Sequence, residues 1–392
     1  MEKMLRDRNE EPFPGTETPT TGAQIAPGQA MRSHLGCPEG AWTRPLGSAS
    51  ADSQPNAKGA SLKRTRIHLS AVQAVVHLVR RPIVAFSLVA LAVSLVSAHA
   101  APPASAATSC RPTAKLVNPC RPWLGAYGHG YPEVPSDLRS QISYHEQRIG
   151  RKGDIVRGNY HVGPQYLTLP EKSYAERPST ILLVNWKPST SWAAARGGNP
   201  TVNRVIDSMA ASIGSVAPHK IMLVLAHEPE NDVSSGTSCQ TKSTTGSGSP
   251  ADYRAMWANV QQRFAARGIK NVVWVMNYMG YKPYDCLVPQ LWPGNGRVDW
   301  VMMDSYGTRA NPLIDDSVGR FYRFLKRTSD SSHDFLSKPW GLGEFSIHRV
   351  TQPQAYAYWD SVKAAVHNSR YPKLKAFIAF DSSGGNADNR VA

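Results

Sequence analysis

The chain has 392 residues, more than one small domain requires and enough for one large barrel-sized domain with additional segments. Its formal net charge is +15, but the basic residues are scattered and form no run that would follow a phosphate backbone. The composition therefore argues against nucleic-acid binding, and we interpret the charge as a solubility property with a weak affinity for acidic cell-wall polymers.

The N-terminal segment lacks the apolar content of a folded domain. Residues 1 to about 70 are rich in Pro, Gly, Ser, Thr and Ala, and this composition predicts disorder over residues 1–74. No methionine occurs between Met31 and Met209. We therefore hypothesise that translation starts near Val75 and that the first 74 residues are an artefact of the gene model.

A secretory signal is predicted over residues 75–100. Arg80-Arg81 precedes an apolar run from Ile83 to Ala98, and Ala98-His99-Ala100 has the small-residue pattern of a cleavage site. The alternative is a signal anchor, in which residues 83–98 would hold the protein in the membrane. We expect a secreted, extracellular monomer that meets the membrane only during export, with a small-residue linker over residues 101–118.

The cysteines favour disulfides. Cys37 precedes the apolar run, and four cysteines follow it, so that the exported part can form two disulfides in three different pairings. We favour Cys110–Cys120, which closes a short loop, together with Cys239–Cys286, which joins two longer loops. Because no two cysteines form a CxxC pair, a zinc site is not expected.

From Trp123 onward, short apolar strands alternate with polar loops and amphipathic stretches such as 200–213 and 251–267. The predicted strands are Trp123–Tyr127, Ile155–Tyr160, Ile181–Asn185, Ile221–Ala226, Val272–Met276, Val298–Met303, Trp340–Glu344 and Ala376–Phe380. Eight such units predict an α/β fold, a (β/α)8 TIM barrel over residues 119–392.

A doubly wound open sheet is the alternative fold, but the segment 125–130 does not have the spacing of its glycine-rich phosphate loop. Only twelve residues follow the last predicted strand, from Asp381 to Ala392, so the eighth helix is expected to be reduced or truncated.

Two glutamates stand where the active site of such a barrel forms, at the carboxyl ends of the strands. Glu228 follows strand four and Glu344 ends strand seven. One carboxyl can protonate a leaving oxygen while the other attacks the sugar carbon. In retaining glycosidases the two carboxyl groups lie about 5–5.5 Å apart. The pair therefore predicts cleavage of a glycosidic bond.

Other polar and aromatic residues follow the same strands. His227 can orient a sugar hydroxyl or a carboxylate, Tyr306 can donate a hydrogen bond that keeps the nucleophile ionised, and Trp186 can stack on a sugar ring. His161 and Phe380 are further predicted substrate-binding residues at strand ends. The chain contains neither HExxH nor GxSxG, so we expect no metal, no cofactor and no serine nucleophile.

From about Trp123 to Phe380 the chain resembles glycoside hydrolase family 26. Four segments carry the likeness: His227-Glu228 with Asn231, Val273-Trp274-Val275-Met276-Asn277, Trp292-Pro293-Gly294 with Val298-Asp299-Trp300 and Asp304-Ser305-Tyr306, and Gly343-Glu344-Phe345. The resemblance implies a retaining (β/α)8 enzyme with Glu228 as acid/base and Glu344 as nucleophile. It also implies His227 and Tyr306 as hydrogen-bonding partners and Asp299 as a supporting carboxylate.

The family cuts mainly β-1,4-mannan, and some relatives cut β-1,3-xylan or mixed-linked β-glucan. This chain departs from the mannanase pattern after the acid/base, where Pro229-Glu230-Asn231 is followed by a polar loop, residues 234–250, that carries Cys239. We hypothesise that the Cys239–Cys286 disulfide fixes this loop across the cleft and reshapes the sugar subsites.

The sequence thus predicts an enzyme that acts on a polysaccharide. The alternative is a non-catalytic carbohydrate-binding protein on the same barrel, which a glutamate buried in a salt bridge to Lys or Arg would favour.

Overall fold

A computed structural model of the chain describes residues 110–240, 243, 246–347 and 350–382. Eight parallel strands close into a barrel in chain order, with β8 paired to β1. The strands are β1 (Trp123–His129), β2 (Ile155–Val162), β3 (Ile181–Lys187), β4 (Ile221–Leu225), β5 (Val272–Tyr278), β6 (Trp300–Gly307), β7 (Trp340–Ile347) and β8 (Leu374–Ser382). The predicted (β/α)8 barrel and its eight strands are confirmed.

Helices cover the outside of the barrel. The described helices are α1 (Leu138–Arg148), α2 (Leu169–Glu176), α3 (Trp192–Ala195), α4 (Pro200–Gly214), α5 (Pro250–Ala266), α6 (Leu287–Leu291), α7 (Arg320–Thr328) and α8 (Gln352–His367). The side chain of Asn199 caps α4 at Thr201 N–H and Val202 N–H, and Ser249 and Asp252 form a capping box at the start of α5. Both helices follow the predicted stretches to within one residue.

The interior of the barrel is filled by an apolar cluster that includes Trp123, Ile181, Met222 and Trp300. At the amino end of the barrel the preceding segment closes the bottom. The indole N–H of Trp123 donates to the carbonyl of Leu116 at 2.6 Å, and that of Trp300 donates to the carbonyl of Lys115 at 2.6 Å. The opposite, carboxyl end is therefore the end left for a functional site.

Both favoured disulfides are present: Cys110–Cys120, with Cα atoms 5.4 Å apart, and Cys239–Cys286, with Cα atoms 6.0 Å apart. No helix among the described residues is long and apolar enough to cross a membrane. The predictions for residues 1–74, 75–100 and most of the linker lie outside the described residues, as does the prediction for the end of the chain beyond Ser382.

The Cys110–Cys120 disulfide closes a ten-residue loop that contains Lys115 and Leu116, which close the barrel bottom. Replacing both cysteines with serine should lower the free energy of unfolding by about 2–3 kcal/mol, because the unfolded chain regains the entropy of the open loop. Urea unfolding of the wild type and the double variant measures this difference. Equal stabilities would show that the disulfide does not constrain the barrel.

Candidate active site

Three carboxyl side chains meet at the carboxyl end of the barrel. Asp304 and Glu344 are register partners on β6 and β7, and Glu228 follows β4. The side chain of Asp304 is fully buried, that of Glu344 is 8% exposed, and Glu228 is 3% exposed. Three carboxyls so close in a buried place cannot all be ionised without compensation.

The Glu344 carboxylate has four nitrogen or hydroxyl neighbours. Arg157 Nη1 donates to Oε1 at 2.6 Å, the hydroxyl of Tyr160 also donates to Oε1, and the hydroxyl of Tyr306 donates to Oε2. His227 Nε2 lies 3.3 Å from Oε1. Burial raises the pKa of Glu344, but Arg157, His227 and the two tyrosine hydrogen bonds outweigh it, so the net pKa is lowered and the carboxylate is ionised.

Arg157 is held from several sides. Its Nη1 donates to the carbonyl of Gly343 at 3.2 Å, and the Asn185 side-chain oxygen accepts from Nε at 2.9 Å and from Nη2 at 3.1 Å. The guanidinium also lies over the ring of Tyr160, 4.8 Å from its centroid. Burial lowers the pKa of Arg157, but the charge of Glu344 more than compensates, and the net pKa is raised.

Asp304 takes the opposite protonation state. Burial raises the pKa of Asp304 well above its usual range, and the charge of Glu344 raises it further. A hydrogen bond joins its carboxyl to that of Glu228, and such a bond requires a proton on one of the two groups. His227 Nε2 lies 2.6 Å from Asp304 Oδ2, so this histidine bridges Asp304 and Glu344.

Glu228 is presented by an unusual backbone turn. Its φ is 45° and its ψ is 58°, and Ala226, two residues earlier, also has a positive φ of 55°. Such left-handed conformations cost about 1–3 kcal/mol each for residues other than glycine and cluster at functional sites. Glu228 N–H donates to the carbonyl of Asn277 at 3.2 Å, and Asn231 Nδ2 donates to Glu228 Oε2 at 2.9 Å.

Aromatic rings surround the carboxyls. Phe380 stacks on Tyr127 with centroids 5.3 Å apart and meets Tyr306 edge-on at 6.1 Å. Tyr160 meets His227 edge-on at 5.1 Å. Phe380 and Tyr306 are half-buried, so aromatic surface is available near Glu344.

A histidine and two carboxyls can in principle hold a metal ion, and the ligand atoms of His227, Glu228 and Asp304 lie within 4.8 Å of one another. However, His227 Nε2 and Asp304 Oδ2 are 2.6 Å apart, whereas two ligands of one tetrahedral zinc are separated by about 3.3 Å. The two groups therefore contact each other directly, and a metal would have to separate them.

Two predicted substrate-binding residues are placed elsewhere by the alternation of side chains along a strand. Trp186 is 1% exposed, packs in the core between barrel and helices, and donates to the carbonyl of Gly163, so the sugar-stacking prediction is wrong. His161 follows Tyr160, points the other way and pairs with Glu171 at 2.9 Å. The prediction that His161 binds substrate is therefore also wrong.

Asp299 is a third correction. It directly precedes β6, at the amino end of the barrel, where it pairs with Lys115 Nζ at 2.9 Å and accepts the N–H of Trp274 at 3.0 Å. It cannot support carboxyls at the opposite end of the same strand. The carboxyl that lies beside Glu344 is that of Asp304, five residues later.

Sequence reasoning missed Arg157, Tyr160, Asp304 and Asn277. Tyr160 lies next to His161, and Asp304 lies two residues before Tyr306, so both are near predicted site residues. Their position towards the end of a strand could therefore have indicated them. Arg157 directly follows the apolar pair Ile155-Val156 in a predicted strand, and a charged residue buried in a strand is rare without a partner, so it is itself a signal of function.

No protein-family model matches the chain, and no curated protein sequence matches it. Solved structures do match. Bacillus subtilis mannanase BCman is 16% identical over 67% of this chain and 80% of that chain, with a TM-score of 0.47. The GH26 domain of a Prevotella bryantii endo-beta-mannanase/endo-beta-glucanase is 16% identical over 70% of this chain and 88% of that chain, with a TM-score of 0.46. The catalytic domain of the Bacillus sp. JAMB-750 GH26 endo-beta-1,4-mannanase is 13% identical over 69% of this chain and 79% of that chain, with a TM-score of 0.47. At these values the likeness carries no information on reaction or substrate.

Gly343 tests the packing behind the carboxyls. A Cβ at this position would lie 1.8 Å from Asn277 Oδ1 and 2.9 Å from Asp304 Oδ1. Gly343→Ala should therefore lower the free energy of unfolding by about 1–3 kcal/mol, the usual cost of overpacking. Gly198→Ala is the matched control, since its Cβ would meet nothing within 4 Å. Urea unfolding compares the two, and equal effects would contradict the packing described.

Proposed function

We propose that the chain is a retaining glycoside hydrolase with Glu344 as nucleophile and Glu228 as acid/base. The observation that carries the proposal is the ionised Glu344 carboxylate at the carboxyl end of the barrel, compensated by Arg157, Tyr160 and Tyr306. A nucleophilic carboxylate must be ionised before it can attack. Arg157, Tyr160 and Tyr306 keep Glu344 ionised near neutral pH.

Glu228 would supply the proton for the first step. Glu344 forms a bond to the anomeric carbon while the glycosidic C–O bond breaks, and Glu228 protonates the departing oxygen. In the second step Glu228 accepts a proton from water, the water oxygen bonds to the anomeric carbon, and Glu344 leaves as a carboxylate. The hydrogen bond between Glu228 and neutral Asp304 would keep a proton close to the acid/base.

The substrate we propose is a β-linked polysaccharide outside the cell. Phe380 and Tyr306, both half-buried, offer aromatic surface near Glu344 for a sugar ring, and the buried Tyr127 packs behind Phe380. The resemblance to family 26 favours β-1,4-mannan, with β-1,3-xylan and mixed-linked β-glucan as further candidates. Disulfides form in oxidising compartments, so the two in this chain support secretion.

One observation favours a second candidate, a non-catalytic carbohydrate-binding protein. Glu344 is buried in a salt bridge with Arg157, and Glu228 is also nearly closed to solvent. A buried ion pair of this kind can serve the barrel alone. The left-handed backbone conformation of Glu228 favours the enzyme, because a glutamate with only a structural role would not require this unfavourable conformation.

Chemical rescue separates the two candidates. We expect Glu344→Ala and Glu228→Ala each to lose essentially all hydrolysis of an activated aryl β-glycoside or a mannan. With azide, Glu344→Ala should form the α-glycosyl azide, because azide attacks the free face. Glu228→Ala should form the β-glycosyl azide through the glycosyl-enzyme. NMR of the products measures the configuration.

Glu176→Ala, at an exposed position on α2, is the control and should keep wild-type turnover. Wild-type turnover in either active-site variant would refute the assignment. A wild type that binds glycans without cleaving any of them would favour the binding protein.

Tyr306→Phe should lower kcat/KM about 10- to 100-fold, because a hydrogen bond to a charged group contributes about 1.5–3 kcal/mol. The pKa of Glu344 is lowered in the folded protein, so the active carboxylate persists above that pKa and is lost as the pH falls through it. Loss of a donor raises the pKa and should move the acidic limb of the pH–rate profile to higher pH.

Tyr356→Phe, 62% exposed on α8, is the control for the loss of a phenol and should leave the profile unchanged. An acidic limb that stays in place in Tyr306→Phe would mean that this hydrogen bond does not hold the charge of Glu344.

A further inference from the structure

Glu230 is a buried carboxyl next to the site for which the reaction has no role. It lies in the short 3-10 helix Pro229–Asp232, directly after Glu228, and is 1% exposed. Its Oε1 accepts the N–H of Met279 at 3.0 Å, one residue beyond the end of β5. Within the described residues its Oε2 is buried and makes no hydrogen bond.

This contact completes the attachment of the Glu228 turn to β5. Glu228 N–H reaches the carbonyl of Asn277, and Glu230 reaches the N–H of Met279, so the turn is tied to β5 at two positions two residues apart. Because the left-handed conformation of Glu228 is unfavourable by itself, the surrounding contacts must maintain it. Glu230 is the only side chain of the 3-10 helix Pro229–Asp232 with a described hydrogen bond to this strand end.

The groups around Glu230 oppose a negative charge there. Glu228 and Asp304 are the acidic neighbours, and Tyr253 of α5 and Tyr278 of β5 are buried phenols whose raised pKa values keep them neutral. Helix α6, which packs on the same turn, carries no titratable residue. Burial, reinforced by the two carboxyls, raises the pKa of Glu230 to about 8.

We propose that Glu230 is a positioning residue that, as a neutral acid, holds the strained turn of Glu228 against β5 without adding a further negative charge to the site. The proposal deepens the proposed function, on which its kinetic part rests. A neutral carboxyl can accept the N–H of Met279 through its carbonyl oxygen, as an amide can. An ionised carboxyl would accept the same bond but would repel Glu228.

The kinetic test compares Glu230→Gln with Glu230→Ala in the full chain. Glutamine keeps the acceptor and the neutral charge, so kcat on an aryl β-glycoside at pH 6 should stay within about 3-fold of wild type. Alanine removes the acceptor, so kcat should fall about 10- to 100-fold with little change in KM, because a misplaced acid/base costs that much. Equal losses in both variants would overturn the proposal.

Two readouts do not depend on activity. Amide exchange at Met279 should accelerate in Glu230→Ala and stay at the wild-type rate in Glu230→Gln. The melting temperature tests the neutral state. An acid whose pKa is raised by folding destabilises the folded state as the pH rises from the unfolded pKa to the folded one. Wild type and Glu230→Gln should therefore melt alike at pH 5, and the glutamine variant should melt several degrees higher at pH 8.5.

Glu176→Gln, an exposed glutamate on α2, is the matched control and should follow the wild type at both pH values. A constant difference in melting temperature between wild type and Glu230→Gln, or unchanged exchange at Met279 in Glu230→Ala, would refute the role of Glu230. A wild type that cleaves no glycan would count against the proposed function alone, because exchange and melting would still decide the role of Glu230.

Discussion

The ion pair between Arg157 and Glu344 is the interaction on which the rest of the site depends. Each charge is buried, so neither is stable without the other, and breaking such a pair typically costs about 3–5 kcal/mol. The pair joins β2 to β7 across the barrel. The hydroxyl of Tyr160 and the amide oxygen of Asn185 accept hydrogen bonds from the same guanidinium, and this polar layer lies above an apolar interior.

The same pair dictates where protons lie on the neighbouring carboxyls. Arg157 compensates only one negative charge, and Glu344 takes it because two tyrosines also donate to that carboxylate. Asp304, buried beside it, is therefore driven to the neutral form. The titratable neighbours of Glu230, under the Glu228 turn, are carboxyls and neutral phenols, so Glu230 is driven to the neutral form as well. Protonation thus follows from the number of buried cations rather than from the type of each acid.

The sequence was sufficient for the fold and for part of the site. Strands buried on both faces form short apolar runs, and these were located individually. Residues at strand ends were located as a group, which is why Glu228, Glu344, His227 and Tyr306 were found together. The sequence did not reveal which face of the barrel each side chain points to, because neighbouring residues of a strand point to opposite faces and a shift of one residue reverses the assignment. For this reason Trp186 was predicted at the site although it points outward to the helices, and Arg157 was missed.

The segment after β4 combines a fixed base with a variable extension. Its base is held by Glu230 and by Asp232, which pairs with Lys187 of β3 at 2.5 Å and whose carbonyl accepts the N–H of Ser247. The later part of the segment is joined by the Cys239–Cys286 disulfide to the loop between β5 and α6. The base therefore ties the Glu228 turn to β3 and β5, and Ser247 in the later part of the segment contacts this base at the carbonyl of Asp232. In the proposed function, the base thus positions the acid/base, whereas the part of the segment that carries the disulfide is left to contact the substrate.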